Sequence, residues 1–201
     1  MTSDVRAAGR TSPSKRDRQG AFEFEPHLCF ACGELNAHGL HLALHTSPDG
    51  SWTELALRPE FQGWDSVAHG GIVSTVLDEV MAWAVIGRGT WGVTGRMTVA
   101  FRRPIRTGQS IRAEGWVVEE GRRAVKAAGH VLDAATGEVL ATGESTFVAV
   151  PTEELERLQA RYGMRRVGPQ TPSQDDTTGR ADDAAAGQPA ATSLEPVGSH
   201  R

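Results

Sequence analysis

Positions 69 to 79 hold an imidazole, two glycines and two adjacent carboxyls: His69-Gly70-Gly71 and then Asp78-Glu79. The apolar run from Gly70 to Ile86 reads as one helix, about 25 Å long at 1.5 Å per residue. The first N–H groups of a helix have no internal partner and carry the positive end of its dipole. Glycines there let a ligand oxygen approach closely, so Gly70 and Gly71 could receive an anion or a developing oxyanion. Asp78 shares one stripe of this helix with Gly71, Ser74, Thr75 and Ala82, a narrow polar channel on a greasy rod. Burying a carboxylate costs several kcal/mol unless it is paired or its pKa rises, and a raised pKa is what a general base near neutral pH requires. A plainer reading stands beside this one. Asp78-Glu79 could be a solvated break and Gly70-Gly71 a device for close packing. Glu79, about 100° around the helix from Asp78, is the rival carboxylate.

The elements that would position these groups follow from pattern. Gly39 to Thr46 and Trp52 to Arg58 read as strands split by the turn Ser47-Pro48-Asp49-Gly50. The helix carries Ile72, Val73, Val76, Leu77, Val80, Met81, Trp83 and Val85 around most of its girth, so it must be wrapped rather than laid on a surface. Gly87 is placed at the left-handed position past its end. Strands are expected over Trp91 to Phe101, Ser110 to Glu119, Ala124 to Asp133 and Val139 to Val150, with turns at Glu120-Gly121 and Ala134-Ala135-Thr136-Gly137. A short helix follows over Thr152 to Tyr162, with Thr152 as its N-cap. One long buried helix among many strands points to an α+β fold, an antiparallel sheet curled around the helix.

Bulk properties narrow the function. The chain has 201 residues and a net charge of −4, so no general basic field draws in nucleic acid. It contains no run of eighteen apolar residues to span a membrane. Lys15 and Lys126 are the only lysines among 21 basic residues; that bias fits a GC-rich bacterial genome and a cytoplasmic protein. Residues 1 to 20 have almost no large apolar side chains and the apolar residues of 165 to 201 are mostly single Ala, so both read as disordered tails around a folded unit at 21 to 164. His27, Cys29, Cys32 and His38 lie close enough in sequence to consider zinc. The gap between the Cys pair and a His pair is too short for the usual finger, so the cysteines are taken as free structural thiols and no metal is expected.

Taken together, the motifs resemble a family. His69-Gly70-Gly71 with Asp78 nine positions after the histidine is similar to the phenylacetyl-CoA-type and THEM4-like acyl-CoA thioesterases of the hotdog superfamily. Cys29-Phe30-Ala31-Cys32-Gly33 with Asn36 and Gly39-Leu40 resembles their opening signature. Phe61-Gln62-Gly63-Trp64 resembles their Gln-Gly turn, and Thr98-Val99-Ala100-Phe101-Arg102-Arg103-Pro104 their strand ending in an aromatic and Pro. The resemblance, over about residues 28 to 150, implies a hotdog fold and hydrolysis of acyl-CoA thioesters without a further cofactor, CoA being part of the substrate. It implies that the Gly70 N–H polarises the thioester carbonyl and that Asp78 is general base or nucleophile. Thr94 would orient the water, and His69 would position the thioester or departing thiol. Gly71, Gln62, Ser74, Thr75, Glu79, Arg102 and Arg103 are candidate substrate contacts, the arginines toward CoA phosphates. A homodimer or dimer of dimers is implied, each site combining a helix N-terminus from one protomer with the carboxylate of the other. Glu79 directly after Asp78 departs from the pattern; some hotdog thioesterases use Glu, so either acid could be the base.

Two other functions stay open. A non-catalytic acyl-CoA sensor would keep the pocket without turnover, though the intact Asp78, Thr94 and Gly70 speak against it. A hydratase or dehydratase on the same fold would carry a distinct Asp–His motif, which the sequence lacks.

Overall fold

A computed structural model of the chain describes residues 21–163 and 165–167; the expected tail 1–20, and all of the expected tail 165–201 beyond residue 167, lie outside the described residues. In chain order the elements are β1 (Ala21–Glu23), β2 (His45–Ser47), β3 (Gly50–Ala56), a 3-10 turn (Pro59–Phe61), β4 (Gln62–Trp64), β5 (Val67–Ala68), α1 (Gly70–Gly87), β6 (Gly92–Phe101), β7 (Ser110–Glu120), β8 (Ala124–Asp133), β9 (Val139–Ala149), α2 (Thr152–Tyr162) and β10 (Arg165–Val167). Six strands form one sheet in the order β2-β3-β7-β8-β9-β6, every pairing antiparallel. β4 pairs with β5, and β1 with β10. Arg165–Val167, placed by sequence in the tail, therefore pair with the start of the folded unit.

The inner face of the sheet alternates with the outer, as a half-buried strand must. Ile111, Ala113, Val125, Ala127, Val131, Ala141 and Phe147 are buried against Val73, Val76, Leu77, Val80 and Met81 of α1. Where the helix crosses the sheet, register aligns Ser51, Gly115, Gly129 and Gly143 on four neighbouring strands. A Cβ on Gly115 would lie 2.5 Å from the Val80 carbonyl oxygen, and one on Gly143 would lie 3.3 Å from Met81 Cε. Ser51 Oγ donates to that same Val80 carbonyl. The small residues thus let α1 settle directly onto the strands. By length and composition α1 could cross a membrane, but here its girth is wrapped as its pattern demanded. The sheet covers one side, and Cys29, Ala31, Leu42 and Leu44 of the preceding segment cover part of the other.

Three sequence expectations are corrected. The first strand does not begin at Gly39. His41 adopts a positive φ of 53°, and Leu40 and Leu42 donate instead to the Phe30 and Ala31 carbonyls, so the chain straps across the core before β2. Gly87 is inside α1, and the left-handed residue is Gly89, at φ 85°. Thr152 is the first helical residue of α2 rather than its cap; Pro151 precedes it, with its fixed φ suited to helix entry.

Candidate active site

The β4–β5 hairpin decides where α1 begins. His69 N–H donates to Phe61 O at 2.9 Å and Ala68 N–H to Ile105 O at 2.9 Å. The Gln62 Oε1 accepts from Ser66 N–H at 3.2 Å, which ties down Ser66 at a positive φ of 59°. Gly63 passes so near that a Cβ would be 3.2 Å from His69 Cα. Gln62, expected to meet substrate, thus braces the turn that delivers His69.

At the helix start the donors are almost all engaged. Gly71 N–H donates to His69 Nδ1 at 2.9 Å, and Ile72 and Val73 N–H both donate to the His69 carbonyl at 2.9 and 3.2 Å. The Gly70 N–H is left without an acceptor among the described residues. Because Nδ1 accepts, the neutral imidazole carries its proton on Nε2. Gly70 opens onto a cavity of about 350 Å³ whose walls include Val73, Phe101, Arg102, Arg103 and Ile105. The Phe101 ring rests on Gly70, its Cζ 3.3 Å from where a Cβ would be. Arg103 pairs with Glu138 at 3.0 Å, both side chains exposed, a pairing worth little in water and readily exchanged. Arg102 has no side-chain partner among the described residues.

Two turns along, Asp78 Oδ1 accepts from Thr94 Oγ1 at 2.8 Å. Burial pushes the Asp78 carboxyl above its ordinary pKa, and the Thr94 hydrogen bond pulls it partly back. Thr94 reaches it because the β6–β9 register slips between Thr94 and Arg96, a bulge at Gly95 that re-aims the side chain. Ser74 and Thr75 donate to the Gly70 and Gly71 carbonyls, each at 2.9 Å. Their hydroxyl protons are committed to the helix, and only lone pairs face outward.

Glu79 faces elsewhere. Its carboxylate accepts from Trp83 Nε1 at 3.1 Å and lies within 4.8 Å of both cysteine sulfurs. Burial, then the Cys29 charge, push it up to about 7. It is separated from the polar stripe, which leaves Asp78 as the carboxylate on the face shared with Gly71 and Ser74. The sequence carried no signal for this grouping, because which side of α1 the Cys29 segment covers is a tertiary matter.

One chain therefore assembles two half-sites. Gly70, His69, Phe101 and the arginines gather at the helix start; Asp78 lies eight residues, about 12 Å, further along the same helix, where Thr94 of β6 meets it. No single small polar group of a ligand could touch both in one protomer.

Residues 65–148 match the family model of the thioesterase superfamily. This stretch is similar to that superfamily, and its fold is the hotdog fold. The solved structures agree on the fold. The domain resembles protein RHA08564, a thioesterase superfamily protein, at 24% identity and TM-score 0.57, covering 60% of each chain. It resembles the E. coli PaaI protein from the phenylacetic acid degradation operon at 16% identity and TM-score 0.53, covering 59% of this chain and 87% of that one. It also resembles smu.793 from Streptococcus mutans, solved bound to acetyl CoA, at 17% identity and TM-score 0.51, covering 54% and 88%. The match thus spans less than two thirds of RHA08564. Among curated protein sequences none matches this chain. The α1 helix wrapped by an antiparallel sheet is the expected hotdog arrangement.

Proposed function

We propose that this protein hydrolyses acyl-CoA thioesters to the free acid and CoA, with Asp78 as the base that activates water and the Gly70 N–H as donor to the carbonyl oxygen. The observation that carries this reading is the pair of half-sites on one helix, an unengaged N–H at its start and a half-buried, threonine-held carboxyl within it. Thioester hydrolysis develops negative charge on the carbonyl oxygen, which an N–H fixed at a helix start stabilises without reorganising. A carboxylate of raised pKa is a stronger base than an ordinary one, and Thr94 fixes its direction. Arg102 and Arg103 at the cavity rim suit the phosphates of CoA. The acetyl CoA in the S. mutans structure supports a CoA ester as ligand.

The half-sites become one site if two protomers pair, the Gly70 of one facing the Asp78 of the other. β6 is an outer strand of the six-stranded sheet, and an unpaired edge ten residues long is a ready surface for joining two sheets. A homodimer through β6 is the arrangement this reading requires.

The test is release of free CoA, followed with a thiol reagent, from a panel of aromatic, short and long acyl-CoAs. Asp78→Asn should lose roughly a hundredfold or more in kcat/KM, the usual contribution of a positioned base, with acyl-CoA affinity retained. Tight binding with no release by the unmodified protein would make it a binding protein instead.

A further inference from the structure

Outside the Gly70–Asp78 face, the structure gathers a second set of reactive side chains. Cys29 Sγ, Cys32 Sγ and a Glu79 carboxylate oxygen all lie within 4.8 Å of one another. His27 Nε2 is 3.9 Å from Cys32 Sγ. Both cysteines are unbridged.

The backbone around them has the form of a ligand turn. Gly33 N–H donates to the Cys29 carbonyl at 3.0 Å, closing the turn that carries both cysteines. Gly33 is obligatory here, since a Cβ would lie 2.4 Å from both Cys29 N and the His27 carbonyl oxygen. Glu79 arrives from α1, its other partner being the Trp83 indole N–H. The His27 ring is packed between Phe24 and Tyr162, and its Nδ1 is buried with no partner among the described residues.

We propose that Cys29, Cys32, Glu79 and His27 form a tetrahedral zinc site that pins the Cys29–Leu44 strap to the central helix. Two thiolates, a carboxylate and an imidazole are ordinary zinc ligands at 2.0 to 2.3 Å, which sets an N···S separation of about 3.6 Å in a tetrahedron. His27 Nε2 is 3.9 Å from Cys32 Sγ but stands outside the 4.8 Å cluster of Cys29, Cys32 and Glu79, so its ring must turn toward the ion to become the fourth ligand. The ion would balance the charge of a carboxylate and two thiolates gathered in a partly buried group. A neighbouring cavity of about 130 Å³, lined by His27, Cys32, Leu42, Leu44 and Trp83, gives the ion a way in. The Cys pair and Glu79 thereby act apart from hydrolysis, and the site stands or falls independently of it.

The full-length, untagged protein is reduced, freed of metal with a chelator, and titrated with zinc and, separately, with cobalt(II). The expected results are one metal ion per chain, a thiolate-to-cobalt charge-transfer band in the near ultraviolet, and intense visible bands of tetrahedral cobalt. Cys29→Ser/Cys32→Ser should bind no zinc, Glu79→Gln should bind at least about tenfold more weakly, and Asp78→Asn should bind as the unmodified protein does. Should the double variant fail to fold, the cobalt spectrum of the unmodified chain decides alone. Substoichiometric metal, a cobalt spectrum without the thiolate band, or retention of zinc by the double cysteine variant overturns the proposal. A Cys29–Cys32 disulfide in freshly isolated protein, found by thiol titration before reduction, does so as well.

Discussion

Thr94 and Asp78 meet through one hydrogen bond of 2.8 Å, and that contact makes the base testable. Burial raises the Asp78 carboxyl and the Thr94 hydroxyl lowers it. Thr94→Val removes the lowering influence, so Asp78 ionises at still higher pH. Because the ionised form is the base, the acidic limb of the kcat/KM profile should move to higher pH once that hydrogen bond is lost. A pH–rate series on a good substrate checks this; a limb that does not move argues against Asp78 as base. The stability linkage has the opposite sense to that of a salt-bridged acid. A carboxyl raised in the folded state contributes most below its unfolded pKa, and that contribution is lost as pH rises through the folded value. Asp78→Asn should therefore flatten the decline of denaturant stability as pH rises from the unfolded to the folded pKa. Asp78 itself was visible from its place in the polar stripe. The separation from Glu79 was not, because two adjacent helical residues point about 100° apart and only the packing on each side tells them apart.

Among the elements, the row Ser51-Gly115-Gly129-Gly143 under α1 is the feature on which the helix position depends. Gly115→Ala should force α1 off the sheet and cost about 2–3 kcal/mol, the range for overpacking a tight core. Gly137→Ala, at a positive φ of 75° with open space around it, should cost only about 1–2 kcal/mol from backbone strain alone. Chemical denaturation of both variants compares the two; equal losses would mean that the helix seat is softer than the geometry implies. In sequence these glycines are scattered, and strand periodicity places β7, β8 and β9 to within a residue. Their alignment into one row follows from register, which long-range pairing sets. The largest departure from the strand expectations is at Gly39 to Leu44, where backbone pairing to the Cys29 turn outcompeted local β preference, while β3 runs over Gly50–Ala56 rather than Trp52 to Arg58.

For the whole molecule, the 12 Å between half-sites turns oligomeric state into a catalytic question. Gly70→Pro deletes the proposed oxyanion donor at a first helical position that tolerates proline, and His69 already has the extended backbone a following proline requires, at ψ 133°. It should lose about a hundred- to a thousandfold in kcat/KM while keeping its helix content by circular dichroism. Neither Gly70→Pro nor Asp78→Asn should turn over alone. Mixed under subunit exchange, they should recover about a quarter of unmodified activity, since half the dimers are hybrids and each hybrid holds one intact site. No recovery in a mixture shown to contain hybrids would place both groups in one protomer and overturn the shared site.

Composition and periodicity alone determined that this chain has one helix too apolar to lie on a surface and long strands to wrap it. They also determined that glycines and a carboxyl lie on the same side of that helix, since helical spacing dictates which residues share a face. Only the tertiary structure decided that Thr94 meets Asp78, that Glu79 belongs with Cys29 and Cys32, and that Gln62 braces the entry to α1. Those contacts join residues from separate elements, and strand register, a bulge and the path of a strap across the helix set them, none of which local spacing encodes.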